Sequence, residues 1–142
     1  IRSPDVVLIC PSNPIASIGP TLAVGGMRDA LKNTGAVRIA VSPLVGGKSL
    51  KGPSDRMMRA KGFSSDAIGV AACYAGLIDG IVIDEADRSL QNKLQRTGIK
   101  VLVTDTMMTD DSRKIALAEA VLDFARTLHD QHRHSRQKPV LC

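Results

Sequence analysis

Aromatic side chains are almost missing from this chain. Phe63, Tyr74 and Phe124 are the whole complement in 142 residues, and there is no tryptophan. A core made from such a sequence must be aliphatic. Base stacking on aromatic rings, the usual platform for single-stranded nucleic acid, has almost nothing to work with. Histidine is confined to the end of the chain, as His129, His132 and His134. No Ser-His-Asp or Cys-His arrangement is therefore credible, and the irregular spacing of the three suits a solvated tail better than a metal site. The cysteines are Cys10, Cys73 and Cys142, an odd number without paired spacing. Buried thiols in a reducing compartment are the expectation. No apolar run approaches the length of a membrane span and no signal-peptide pattern opens the chain, which points to the cytoplasm.

The charge is uneven at the end of the chain. The last dozen residues, QHRHSRQKPVLC, hold Arg133, Arg136 and Lys138 and no carboxylate. Taking those three from the 19 basic residues leaves 16 against 14 acidic ones, so the net charge of +5 resides largely in the tail. The body is close to neutral, which argues against nucleic acid as a partner. One domain fits in this length, expected over residues 1–128, with a basic, disordered tail over 129–142. The chain opens almost directly on a strand, with no Met and no leader, and reads as the later part of something longer.

What is present is a regular alternation. DVVLIC (Asp5–Cys10), VRIAVS (Val37–Ser42), GIVIDE (Gly80–Glu85) and KVLVTD (Lys100–Asp105) are short β-branched runs without polar alternation. Such runs predict strands buried on both faces, as in a parallel sheet. Helical stretches lie between them: TLAVGGMRDALKNTG, SSDAIGVAACYAGLIDG, ADRSLQNKLQRTG and DDSRKIALAEAVLDFARTLHD. Asn-Thr-Gly and Gly98 act as stops, and Ser or Asp as N-caps. The expected fold is α/β: a doubly wound, mostly parallel, Rossmann-like sheet with helices on both faces. In such sheets ligands sit beyond the carboxyl ends of the strands. The unusual residues fall there, in PSNPIASIGP, PLVGGKSLKGPSDRMM, DEAD and TDTMMTDD.

Two of these segments imitate a helicase. DEAD follows a strand, as in the DEAD-box ATPases, and GGKS resembles the end of a P-loop. The P-loop, however, needs glycine where Ser42 stands, and Gly52-Pro53 follows Lys48 where a helix should be establishing itself. A two-domain motor also cannot fit in this length. The helicase reading fails.

The loops admit other chemistry. Ser12, Asn13 and Ser17, stiffened by Pro11, Pro14 and Pro20, form a rigid donor-bearing turn. It suits an anion such as phosphate and suits a plain capped turn equally well. Gly46 and Gly47 allow close backbone approach, while Lys48 and Lys51 could neutralise a diphosphate or simply be solvated. Met57 and Met58 read as packing residues. Asp84, Glu85 and Asp87 after the third strand, and Asp105 and Thr106 after the fourth, could hold magnesium or start the helices that follow.

Together the four segments resemble one family. PSNPIASIGP, AVSPLVGGKSLKGPSDRMM, GVAACYAGLIDGIVIDEAD and TDTMM, in this order, are similar to the carboxyl-terminal part of the 2-phospho-L-lactate transferases of coenzyme F-420 biosynthesis. The resemblance runs from Asp5 to about Ala125. It implies transfer of a phospho-lactyl or phosphoenolpyruvyl group from a guanosine-diphosphate-activated three-carbon acid to a deazaflavin acceptor, releasing GMP with Mg²⁺ assisting. Nucleic acid and membrane are not implied as partners, and a homodimer is admitted. On this resemblance Ser12, Asn13, Ser17 and Ile18 belong to the donor-nucleotide loop and Gly46, Gly47 and Lys51 lie near the diphosphate. Asp84, Glu85 and Asp105 fall at the cleft or a metal. The resemblance assigns no catalytic residue. The Gly-rich loop that opens the family is not in this sequence, so little or no turnover is expected of this polypeptide alone. The alternative is a non-catalytic nucleotide-binding regulator of the gluconeogenesis-factor-like branch, from which the PSNPIASIGP wording departs.

Overall fold

The computed structural model describes residues 4–50 and 52–136. Four strands, β1 (Val6–Ile9), β2 (Val37–Val41), β5 (Gly80–Asp84) and β6 (Lys100–Thr104), form one sheet in that order. Every pairing is parallel, with Val6 opposite Val37, Ile39 opposite Gly80 and Gly80 opposite Lys100. A short antiparallel hairpin, β3 (Leu44–Val45) and β4 (Lys48–Ser49), stands apart from it. Only the central strands meet the expectation of burial on both faces. All five residues of β5 are buried, whereas β1 and β6 are edges and keep only partial cover.

Strands taken in sequence order, joined by crossovers of one hand, leave their connecting helices on a single face. The packing has this form. Val7, Ile9, Ala40, Ile81, Ile83, Val101 and Val103 turn towards one cluster with Leu31, Met58, Val70, Tyr74, Leu77 and Leu94. Those partners come from α2 (Met27–Asn33), α3 (Ser54–Ala60), α4 (Ala67–Cys73) with the turn behind it, and α5 (Gln91–Gln95). The opposite face belongs to the last helix, α6 (Asp111–Arg136). Its stripe Leu117, Val121, Ala125, Leu128 lies on Val37, Ile39, Val41 and Val82. The stripe recurs at helical spacing, so one face of a long helix is enough to close that side. Gly80 makes the approach possible: a Cβ there would stand 2.9 Å from Phe124 and 3.0 Å from Leu128. The three aromatics are all spent on these cores, with Tyr74 fully buried and Phe63 and Phe124 half-buried against them.

Several connections differ from the pattern read in the sequence. The PSNPIASIGP loop carries a π-helical turn, Pro14–Ile18, and the first helical stretch is two pieces, α1 (Gly19–Ala23) and α2. Gly25 and Gly26 interrupt it, and Gly26 takes φ +80, which lies outside a right-handed helix. The second ends at Cys73, because the chain turns through Gly76 at φ +71. The third opens as a 3-10 helix, Glu85–Leu90, before α5. Cys10 is exposed, not buried, since it follows an edge strand, while Cys73 is half-buried and Cys142 lies outside the described residues. The final helix continues beyond residue 128 to Arg136, through the segment expected as a tail, with 137–142 outside the described residues. Among the described residues no helix is long and apolar enough to cross a membrane.

One ion pair ties the amino-terminal rim of the sheet. Asp79, just before β5, accepts the Arg38 backbone N–H at 2.8 Å, its Nε at 3.0 Å and its Nη2 at 2.6 Å. Arg38 also donates Nη1 to the Leu31 carbonyl at the end of α2. The Asp79 hydrogen bonds, outweighing burial, push the guanidinium further up from its ordinary pKa. Both side chains are well covered, so Asp79→Ala would strand a fixed charge and a strand amide. A loss of about 2–3 kcal/mol in urea unfolding is expected.

Candidate functional site

The carboxyl ends of the strands open on a cavity of about 810 Å³. Three connections build its wall. From the segment after β1 come Pro11, Ser12, Asn13, Ala16 and Ser17; from that after β2, Ser42, Pro43, Val45, Ser49, Leu50 and Gly52 to Ser54; from that after β6, Thr106 to Thr109. No ionisable side chain is in the wall among the described residues. It consists of hydroxyls, one amide, prolines and apolar groups, with Leu50 and Met108 left about half exposed at 53% and 45%. A wall of this kind accommodates an uncharged ring with hydrogen-bonding edges better than it neutralises a diphosphate.

Local chemistry fixes the first segment. Asn13 Oδ1 accepts the N–H groups of Ile15 and Ala16 at 2.9 and 3.0 Å, capping the π-helical turn that Pro14 begins. Its Nδ2 donates to Met57 Sδ at 3.4 Å and so links the turn to α3. Asn13 thus caps the turn and also stands on the cavity wall. In the second segment, Ser42 bonds the Leu44 N–H and carbonyl through its own hydroxyl, turning the chain from β2 into the hairpin.

The DEAD segment supports the wall from behind. Asp84 is buried; its Oδ1 accepts the Ala86 N–H at 3.0 Å, and its Oδ2 accepts the Thr106 N–H at 2.9 Å and hydroxyl at 2.8 Å. Burial alone would raise its pKa, but these donors outweigh it and hold the carboxyl below the ordinary range. Thr106 is carried to the cavity by this grip. Glu85 is exposed and paired with Arg88. Asp105 is exposed too, accepts the Met107 N–H at 2.8 Å and pairs with Arg113. Asp110 accepts the Arg113 N–H at 2.9 Å, in the geometry of an N-cap for α6. Among the described residues no three His, Cys, Asp or Glu side chains gather closely enough to hold a metal. Of the carboxylates suggested for it, Asp84 is taken up by the Ala86 and Thr106 donors, Glu85 by Arg88 and Asp105 by Arg113, while Asp87 accepts the Gly46 N–H.

Of the residues singled out by the sequence, Ser12, Asn13 and Ser17 stand on the wall. Ile18 does not: it packs against the core beneath. Gly46 and Gly47 are the corner of the hairpin, with φ +57 and +76, and its arms rather than its tip reach the cavity. Lys51 lies outside the described residues. Lys48 is exposed on β4 and is not in the wall. Ser42 and Ser54 were not singled out as binding residues, and Thr106 was offered only to magnesium or a helix start, yet all three are buried hydroxyls at the site. Their signal was a hydroxyl within two residues of a strand end or beside a Gly-Pro pair.

Comparison with known proteins agrees with the motifs. The profile of the 2-phospho-L-lactate transferase CofD family matches residues 1–122. The 2-phospho-L-lactate transferase of Methanothermobacter thermautotrophicus is 39% identical over 122 residues, 86% of this chain and 39% of the relative. That of Methanocaldococcus jannaschii is 36% identical over 128 residues, 90% and 40% of the two chains. The phosphoenolpyruvate transferase of Streptomyces griseus is 37% identical over 126 residues, 88% and 40%. The chain spans about two fifths of the length of the curated relatives it matches.

Proposed function

Since the chain belongs to the 2-phospho-L-lactate transferase CofD family, we propose that its cavity receives the guanosine end of a diphosphate-activated three-carbon acid, lactyl or enolpyruvyl. The whole protein then passes the phospho-acid to a deazaflavin acceptor in coenzyme F-420 assembly. A hydroxyl of the acceptor attacks phosphorus, the anhydride P–O bond breaks, GMP leaves with that electron pair, and the hydroxyl proton goes to solvent. Such chemistry asks the protein for position and charge compensation more than for covalent work. The observation that carries the reading is the coincidence of PSNPIASIGP, the GGKS hairpin and TDTMM, the segments that bear the family resemblance, around one cavity. Its wall, uncharged among the described residues, supports a base and sugar there. The described residues of that wall supply no charge for the diphosphate, and magnesium belongs to the proposal only as an ion that accompanies the donor.

Two fifths of a relative's length is expected to bind and not to turn over. The chain should therefore take up GDP in a calorimetric titration without forming product when donor and deazaflavin are supplied. Ala16 is exposed on the wall, so Ala16→Trp would fill the cavity without disturbing the core. GDP affinity should fall at least about tenfold, a loss of about 1.4 kcal/mol. Absence of GDP binding, or binding that Ala16→Trp leaves untouched, removes the reading.

A further inference from the structure

Asp87 is outside the wall and yet 5% exposed, a carboxylate withdrawn from water. It sits on the 3-10 turn after β5 and its Oδ2 accepts the Gly46 N–H at 3.0 Å, across 41 residues of sequence. Gly46 and Gly47, both at positive φ, are the two corner residues of the β3–β4 hairpin, a two-residue turn that requires left-handed backbone at both positions. The same corner is met from another side. A Cβ on Gly47 would lie 3.2 Å from the Ser65 carbonyl oxygen, so the tip rests on the backbone that leads into α4. The tip is thus pinned twice, and from it the arms carry Val45 and Ser49 to the cavity.

The pin is expensive in its chemistry. Burial raises the pKa of Asp87 despite the Gly46 N–H, and the charges of Asp84 and Asp66 raise it further. A neutral residue would be easier to bury at this position. What the carboxylate adds over a neutral acceptor is a stronger hydrogen bond to one backbone amide. We propose that Asp87 is a positioning residue: its carboxylate, through the Gly46 N–H, holds the β3–β4 hairpin as a fixed wall of the nucleotide cavity. The proposal deepens the reading of that cavity as a donor site and rests on it for the ligand, though not for the geometry.

Asp87→Asn keeps an acceptor and removes the charge; Asp87→Ala removes both. In the 142-residue chain, GDP titrated calorimetrically should bind about fivefold more weakly to the Asn variant and at least about tenfold more weakly to the Ala variant. The urea midpoint of Asp87→Asn should stay level or rise, because a buried charge has gone. A purely structural carboxylate would instead lower midpoint and affinity together, and that result overturns the proposal. Amide exchange gives a readout independent of nucleotide. The Gly46 N–H should be protected in the parent chain and exchange at least about fivefold faster in Asp87→Asn. If the parent chain fails to bind GDP, the donor-site reading falls and the exchange measurement alone decides. An unprotected Gly46 amide, or one unchanged by Asp87→Asn, overturns the positioning role.

Discussion

Gly69→Ala is expected to destabilise the chain by more than about 3 kcal/mol, in a position where helix propensity alone predicts a gain. Gly69 is buried inside α4, three residues past the N-cap Asp66. Alanine there should favour the helix by about 1 kcal/mol over glycine. Yet a Cβ would stand 1.8 Å from the Ser64 carbonyl oxygen and 2.8 Å from its carbon, a backbone collision that no rotamer can relieve. Ser64 cannot retreat freely, since its hydroxyl donates to Asp66 Oδ1 at 2.7 Å and Oδ1 also accepts the Gly69 N–H at 2.9 Å. Helix start, preceding loop and glycine form one closed unit. Gly35→Ala is the control: nothing lies within 4 Å of its added carbon, and stability should move by no more than about 1 kcal/mol. Equal urea midpoints for Gly69→Ala and the parent chain would refute the account.

The second large effect concerns Asp84. Replacing it by alanine leaves the Thr106 amide and hydroxyl without their acceptor in a buried place, and releases the Ala86 N–H as well. A loss of about 3 kcal/mol follows from groups stranded in that way. The damage should reach the cavity, because Thr106 is part of its wall; GDP affinity is expected to drop with stability. Acid gives a second measure. A carboxyl held below its unfolded pKa contributes stability that is present above that pKa and lost as pH falls through the folded value. Urea midpoints of the parent chain should therefore decline below the ordinary carboxylate range, near 3.8, and those of Asp84→Ala should decline less. Asp87, raised in the fold, works in the opposite sense: its contribution is present below its unfolded pKa and lost as pH rises through the folded one. Two carboxylates three positions apart thus oppose each other in pH dependence.

The same pair marks how far the sequence could be read. It presented both as acids at the end of a strand and left magnesium and helix capping open. Register decided. Parallel pairing sets Asp84 opposite Thr104, which brings the Thr106 amide and hydroxyl, two residues on, within reach of the carboxylate. Asp87 reaches the Gly46 amide only because the hairpin is folded over it. Nothing adjacent in sequence encodes either contact. Gly46 and Gly47 were taken as room for a ligand; in the fold the need for glycine there comes from the turn and, at Gly47, from Ser65.

Strand positions, their parallel pairing, the helical class of most connections and the gathering of loops at one rim were legible in sequence alone. Each follows from local facts, such as unbroken β-branched runs and capping residues, that hold whatever lies far along the chain. Which acids are consumed in caps and which in ion pairs, that the cavity wall carries no charge among the described residues, and that one helix closes a whole face were settled only by tertiary packing. These depend on which donor a distant segment delivers to a buried group. A polar side chain removed from water is claimed by whatever partner the fold places beside it.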